Sequence, residues 1–271
     1  MKIVVDTYNK IMNTVQFPTK AAAELYLAGQ STLSIGKIFG VSYATVRNRL
    51  KIYGIKLRSA GAALNNSNGR KHTFDEHYFE SVDSESKAYF LGLIAADGGV
   101  SDRGSLRLGL IEEDAYLVER FREEIGTTDY CRYAPKRAHR RPFVYLNVCS
   151  KKLVSDLSKL GILPRKSLSM GFPKNTKVLF SHFVRGYFDG DGDFRREKKG
   201  YRYLLARICG TKAFLWGLLK RLQSEDVVRS GSIRPHGRIH RLSFSPKNTE
   251  TFADWLYRDA TIFMHRKKEL T

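Results

Sequence analysis

Acidic residues are scarce in this 271-residue chain: 27 Asp and Glu stand against 47 Lys and Arg, a net charge of +20 with a pI near 9.9. A surplus of that size predicts a polyanionic partner. Cysteine is rarer still. Cys131, Cys149 and Cys209 are odd in number and lack Cys-x-x-Cys spacing, so neither a disulfide framework nor a zinc site is implied and each is expected to be a reduced thiol. No apolar run is long enough to span a bilayer and no basic amphipathic anchor is present, so no membrane partner is expected. The opening Met1-Lys2-Ile3-Val4-Val5-Asp6 lacks the apolar core of a secretion signal. The expected setting is cytoplasmic and reducing, in a bacterial or phage-infected cell or an organellar matrix. Hydrophobic residues reach 42%, enough to exclude a disordered chain.

Residues 34–50 carry a helix-turn-helix pattern. Gly40 and Val41 supply the turn, Gly36 lets the helices approach, and Ile35, Phe39, Val46 and Leu50 supply apolar contacts. Ser42 is placed to cap the second helix. That helix would expose Tyr43, Thr45, Arg47, Asn48 and Arg49, side chains that can meet phosphates and base edges in a major groove. A supporting helix is expected over 19–29. The stretch from Ser59 to Lys71 is rich in small polar residues and reads as a linker. The expected organisation is a small all-α module over 1–58, a linker over 59–73, and two larger repeats over 74–175 and 176–271.

The repeats show in two apolar stretches that end alike. One runs Ala88-Tyr89-Phe90-Leu91-Gly92-Leu93-Ile94-Ala95-Ala96-Asp97-Gly98, the other Ser181-His182-Phe183-Val184-Arg185-Gly186-Tyr187-Phe188-Asp189-Gly190-Asp191-Gly192. Each reads as a helix with small residues four apart, Gly92/Ala96 and Gly186/Gly190, and each closes on Asp-Gly. An acid in the last turn of a helix is opposed by the macrodipole by roughly 0.3–1 kcal/mol. Meeting that arrangement twice implies that two carboxylates are being brought together.

After each Asp-Gly the chain follows the same course of strands, helix, strands and helix. Strand patterns fall at 106–110, 130–133, 142–148, 203–209, 232–234 and 239–244; helical ones at 114–125, 151–160, 212–222 and 248–257, with Asp114 a candidate cap. The strands alternate. Leu106, Leu108, Leu110, Val144, Leu146, Val148, Leu204, Ala206, Ile208, Leu242 and Phe244 are expected to face a core. Arg107, Tyr145, Asn147, Leu205, Arg207, Arg241 and Ser243 face outward. With Lys136, Arg137, Arg140, Arg141, Arg195, Arg196, Lys198 and Lys199 on connecting loops, the outward faces form a basic surface for DNA.

Phe90-Leu91-Gly92-Leu93-Ile94-Ala95-Ala96-Asp97-Gly98 and Val184-Arg185-Gly186-Tyr187-Phe188-Asp189-Gly190-Asp191-Gly192 resemble the paired signature motifs of the LAGLIDADG homing endonucleases. The resemblance covers residues 74–271, including Trp255–Lys268, which is similar to the closing helix of such proteins. It implies an α+β fold in which two pseudo-symmetric αββαββα repeats form a DNA-binding saddle, with Gly92, Ala96, Gly186 and Gly190 at the interface of the motif helices. It implies a monomeric, site-specific double-strand DNA endonuclease. By resemblance, Asp97 and Asp191, helped by the carbonyls of Ala96 and Gly190, hold Mg²⁺ or Mn²⁺, the hard cations that oxygen ligands favour. Lys166 and Lys267 steady the water or the transition state. Ala95 stands where the family often has Asp, while Asp189 keeps it, so the halves are expected to differ. Two other readings use the same fold: a non-cleaving transcriptional regulator, and a maturase whose partner is intron RNA.

Overall fold

The protein is described by a computed structural model covering residues 17–58, 72–136, 141–173, 179–196 and 203–271. The opening segment, the linker stretch 59–71, the repeat boundary at 175/176, and Arg137, Arg140, Lys198 and Lys199 lie outside the described residues. The chain divides into two compact units, Met1–Thr73 and Phe74–Thr271.

Among the described residues the first unit has three helices: α1 (Thr19–Leu27), α2 (Thr32–Phe39) and α3 (Tyr43–Ile52). They enclose Ala22, Ala23, Tyr26, Ile35, Val46 and Leu50. α2 stops at Gly40, whose φ of 67° is the left-handed conformation glycine adopts without strain. A Cβ on Gly36 would lie 2.6 Å from the Val41 carbonyl oxygen, so this crossing also requires glycine. The Ser42 hydroxyl caps α3 by accepting from the Thr45 amide at 3.1 Å. Arg58 closes the unit: its guanidinium stacks 4.1 Å above the Tyr26 ring and donates to the carbonyls of Gly29 and Gln30.

The second unit is built twice from one plan. The first copy runs α4 (Glu85–Asp97), β1 (Gly99–Ser101), β2 (Ser105–Ile111), α5 (Ala115–Glu124), β3 (Arg132–Ala134), β4 (Phe143–Cys149) and α6 (Lys151–Lys159). The second runs α7 (Phe180–Asp191), β5 (Gly192–Arg196), β6 (Leu204–Gly210), α8 (Lys212–Ser224), β7 (Ser232–His236), β8 (Ile239–Ser243) and α9 (Pro246–Tyr257), followed by the short α10 (His265–Lys268). Each copy folds as αββαββα around a four-stranded antiparallel sheet, ordered β1-β2-β4-β3 and β5-β6-β8-β7. Leu106, Leu108, Leu110, Leu146, Val148, Ala206, Ile208, Leu242 and Phe244 are buried beneath the sheets, in one core with the motif helices.

Three local expectations change. β1 and β5 follow the motif helices directly. Asp114 does not cap α5; its buried carboxylate pairs with Arg266 at 3.0 Å. The closing segment is not one helix: α9 ends at Tyr257, and Asp259 takes a left-handed φ of 54° before α10 begins. Among the described residues no helix is long and apolar enough to cross a membrane.

Candidate active site

The two motif helices touch along their backbones. A Cβ on Gly92 would sit 2.0 Å from the Phe183 carbonyl oxygen, and one on Gly186 would sit 1.9 Å from that of Tyr89. No side chain fits in either place, so glycine sets how closely α4 and α7 approach. A turn further on, a Cβ on Gly190 would fall 2.3 Å from the Ala96 Cβ and 3.0 Å from Asp97 Oδ2. This contact delivers Asp97 and Asp191 to the same end of the helix pair.

The two carboxylates act on each other. Asp97 is exposed at the rim, yet protein atoms crowd its carboxyl, and its pKa is pushed up to about 6, first by lost hydration and then by the Asp191 charge. Asp191 is also raised by lost hydration, against the pull of Lys166 and Lys267. Each carboxylate feels both lysines. Lys267 of the second copy acts on Asp97 more strongly than Lys166 does, and Lys166 of the first copy acts on Asp191 more strongly than Lys267 does.

Both lysines are buried, and both meet the carbonyl end of a motif helix. Lys166, in the 3-10 turn Lys166–Leu168, donates to the Ala96 carbonyl at 3.2 Å. Lys267, in α10, donates to the carbonyls of Phe188 at 2.9 Å and of Asp189 and Gly192 at 2.5 Å each. Burial lowers both pKa values, that of Lys267 to about 8. A cation at a helix C-terminus is favoured by the dipole, so each lysine offsets the field that opposes the acid beside it. The three protons of Lys267 match its three carbonyls; Lys166 has one such bond.

Among the described residues no group of three or more His, Cys, Asp or Glu forms a metal-holding cluster. The donors that converge are two carboxylates and the carbonyls of the last helical turns, of which Ala96 already accepts from Lys166. This set fits a hard cation that keeps several of its waters. The mutual repulsion of Asp97 and Asp191 is what such a cation relieves.

The outward sheet faces differ in kind. On the first sheet Arg107, Asn147 and Tyr145 share the outer side, and Arg107 stacks 3.9 Å above the Tyr145 ring. On the second, Arg207 faces Asp193 in register and pairs with it, while Arg241 faces Arg234 and lies 2.6 Å from His236 Nε2. In the first unit Tyr43, Arg47 and Asn48 are exposed on α3. Thr45 and Arg49 are only half-exposed, and the Thr45 hydroxyl lies 2.9 Å from that of Ser42 in the cap.

A buried polar network beneath the site escaped the sequence reading. The fully buried Asp189 accepts from Tyr89 Oη at 2.8 Å, Tyr257 Oη at 3.0 Å and the Met264 amide at 2.7 Å. Burial raises its pKa to about 6. Arg185, fully buried as well, donates to the carbonyls of Ile262 at 2.8 Å and Leu256 at 3.1 Å and pairs with Glu85. A signal existed in the sequence: two charged residues four apart inside an apolar helix demand buried partners.

No protein-family model and no curated protein sequence matches the chain. Solved structures do. The homing endonuclease I-WcaI, bound to its DNA recognition sequence, is similar with a TM-score of 0.55 at 14% identity, over 71% of this chain and 91% of that one. The LAGLIDADG meganuclease I-AabMI, bound to uncleaved DNA, gives 0.46 at 13% identity over 67% and 86%. The I-SmaMI LAGLIDADG homing endonuclease, bound to cleaved DNA, gives 0.46 at 13% over 68% and 85%. The likeness to I-WcaI, with the two antiparallel four-stranded sheets, shows the LAGLIDADG homing-endonuclease fold.

Proposed function

We propose, from the premise of a homing-endonuclease fold, that this protein is a site-specific, metal-dependent endonuclease of double-stranded DNA. The observation that carries this reading is the delivery of Asp97 and Asp191 to one point by glycine-only helix contacts, with a buried lysine from each half set against them. I-WcaI and I-AabMI are bound to DNA in their solved structures, and the +20 charge of this chain suits the same polyanion.

In this reading duplex DNA lies across the outward faces of the two sheets. Arg107, Tyr145 and Asn147 read one half-site and Arg207 and Arg241 the other. Asp97 and Asp191, with the Ala96 and Gly190 carbonyls, hold Mg²⁺ or Mn²⁺. A divalent cation bound there supplies an activated water and charge relief at the scissile phosphate. Lys166 and Lys267 set positive charge beside the acids where negative charge grows on the phosphate. The unlike faces match a target whose halves differ, which a single chain can read as a monomer. Tyr43, Arg47 and Asn48 of α3 make a second DNA contact, with Thr45 and Arg49 beside them, and add affinity through the linker.

The test is a supercoiled plasmid library with a randomised insert, incubated with the protein and Mg²⁺. Linear plasmid enriched in one insert sequence supports the endonuclease. Insert-specific binding without cutting supports a regulator, and binding to structured RNA alone supports a maturase.

A further inference from the structure

Among the described residues the polar network under the second motif helix has no counterpart under the first. Setting Gly92 against Gly186 places Ala95 opposite Asp189 and Leu91 opposite Arg185, and both of these first-copy residues are buried. The fold therefore accommodates apolar side chains at these positions. The charges of the second copy serve some purpose beyond filling the helix interface.

Their bonds converge on one stretch of backbone. Arg185 holds the carbonyls of Leu256 and Ile262. Glu85, from the opposite motif helix, accepts from the amides of Thr261 at 2.9 Å and Ile262 at 3.3 Å and from the Thr261 hydroxyl at 2.8 Å. Asp189 holds the amide of Met264. Two further first-copy residues grip the same stretch. The Tyr116 hydroxyl donates to the Phe263 carbonyl at 3.0 Å and accepts from the His265 amide at 2.7 Å, and Asp114 pairs with Arg266. Met264 is the residue from which α10 starts, and the Lys267 amide donates to its carbonyl at 3.0 Å.

We infer that Asp189 is a positioning residue which, with Arg185 and Glu85, clamps segment 256–264 and thereby fixes Lys267 at the catalytic end of the helix pair, an arrangement that among the described residues the first copy lacks. The inference rests on the endonuclease reading for its consequence and on the hydrogen bonds alone for the clamp. Lys267 is held at both ends of this clamp: its amide donates to the carbonyl of Met264, whose own amide Asp189 holds, and its ammonium donates to the Asp189 and Phe188 carbonyls. In some proteins buried ionic groups add little net stability and instead specify one arrangement of the chain around them. The arrangement specified here is the seat of one lysine. Loosening the clamp releases Lys267 and leaves Lys166 in place, so one DNA strand is cut more slowly than the other.

Two measurements test this on the full-length protein. In the absence of metal and DNA, acetic anhydride labelling followed by mass spectrometry reads the exposure of each lysine. Asp189→Asn and the less buried Glu85→Gln are expected to raise Lys267 acetylation severalfold over wild type and to leave Lys166 unchanged. With Mg²⁺ and a site recovered from the plasmid library, each variant is expected to cut one strand on the order of 10–100-fold more slowly, so that nicked circles accumulate. The slowed strand must be the one slowed by Lys267→Met. Unchanged Lys267 labelling in both variants overturns the clamp. Equal slowing of both strands, or slowing of the strand that Lys166→Met affects, overturns the positioning role. Wild-type protein that cuts nothing while the labelling result holds removes the endonuclease reading and leaves the clamp standing.

Discussion

Lys267 donates to the Asp189 carbonyl at the end of the second motif helix, as Lys166 donates to the Ala96 carbonyl at the end of the first, and both lysines act on the two acids Asp97 and Asp191. Each carboxylate thus feels a lysine from either repeat, and the closeness of α4 and α7 is what gathers the four groups at one end of the helix pair.

Gly92→Ala and Gly186→Ala should each destabilise the protein by about 3 kcal/mol or more, because a methyl group has nowhere to go at 2.0 and 1.9 Å from backbone oxygens. Thermal denaturation checks this. Gly237→Ala serves as a contrast, since nothing lies within 4 Å of its Cβ position and only its φ of 60° opposes the change. Equal losses at all three positions would contradict the close-contact account.

The two lysines should separate in their effects. Lys267→Met removes three charge-assisted hydrogen bonds, to the carbonyls of Phe188, Asp189 and Gly192, and should lower stability by about 2–5 kcal/mol. Lys166→Met removes one bond to the Ala96 carbonyl and should lower cleavage with a much smaller change in melting temperature. Denaturant titration of both variants beside a cleavage time course distinguishes the two.

Metal-free stability should depend on pH through Asp97. Its folded pKa of about 6 lies above the ordinary carboxylate value near 4, so the folded state binds the proton more tightly than the unfolded one. The destabilising contribution is absent below about pH 4 and grows as pH rises through 6. Asp97→Asn should therefore be more stable than wild type above pH 6, with the gap closing towards pH 4. Saturating Mg²⁺ should stabilise wild type and not the variant. A gap that widens on acidification would reverse the sign and reject the crowded-carboxylate picture.

Removing the first unit, residues 1–73, should weaken binding to the recovered target and preserve cutting at saturating protein. Fluorescence anisotropy and a single-turnover cleavage assay measure the two separately. Loss of cutting at saturation would give the three-helix unit a role in the chemistry.

Much of this arrangement is legible in the sequence because it repeats. The paired Asp-Gly endings, the glycines a turn before them and the alternation of Leu106, Leu108 and Leu110 are local patterns, and each has a direct physical reading. β1 and β5 are not legible. Gly99-Val100-Ser101 is too short for an alternation to show, and Gly192-Asp193-Phe194-Arg195-Arg196 is too polar to suggest a strand until Arg207 and Leu205 pair with it. The break after Tyr257 is hidden because the partners of the segment beyond it are distant: Glu85, Arg185 and Asp189 bond the backbone of 261–264 from the motif helices. The same holds for Asp114, whose position before a helix suggests a cap but whose partner, Arg266, comes from the far end of the chain. Where a side chain bonds its sequence neighbours, as Ser42 does with Thr45, the sequence suffices. Where the partner arrives through the fold, it does not.

The most direct measurement of the central claim is strand-resolved cleavage of a recovered target by Asp97→Asn and Asp191→Asn, with binding affinity read in parallel. One shared site predicts that either substitution abolishes cutting of both strands with Mg²⁺ and leaves DNA affinity within a few-fold of wild type. Undiminished double-strand cleavage by Asp191→Asn would contradict it.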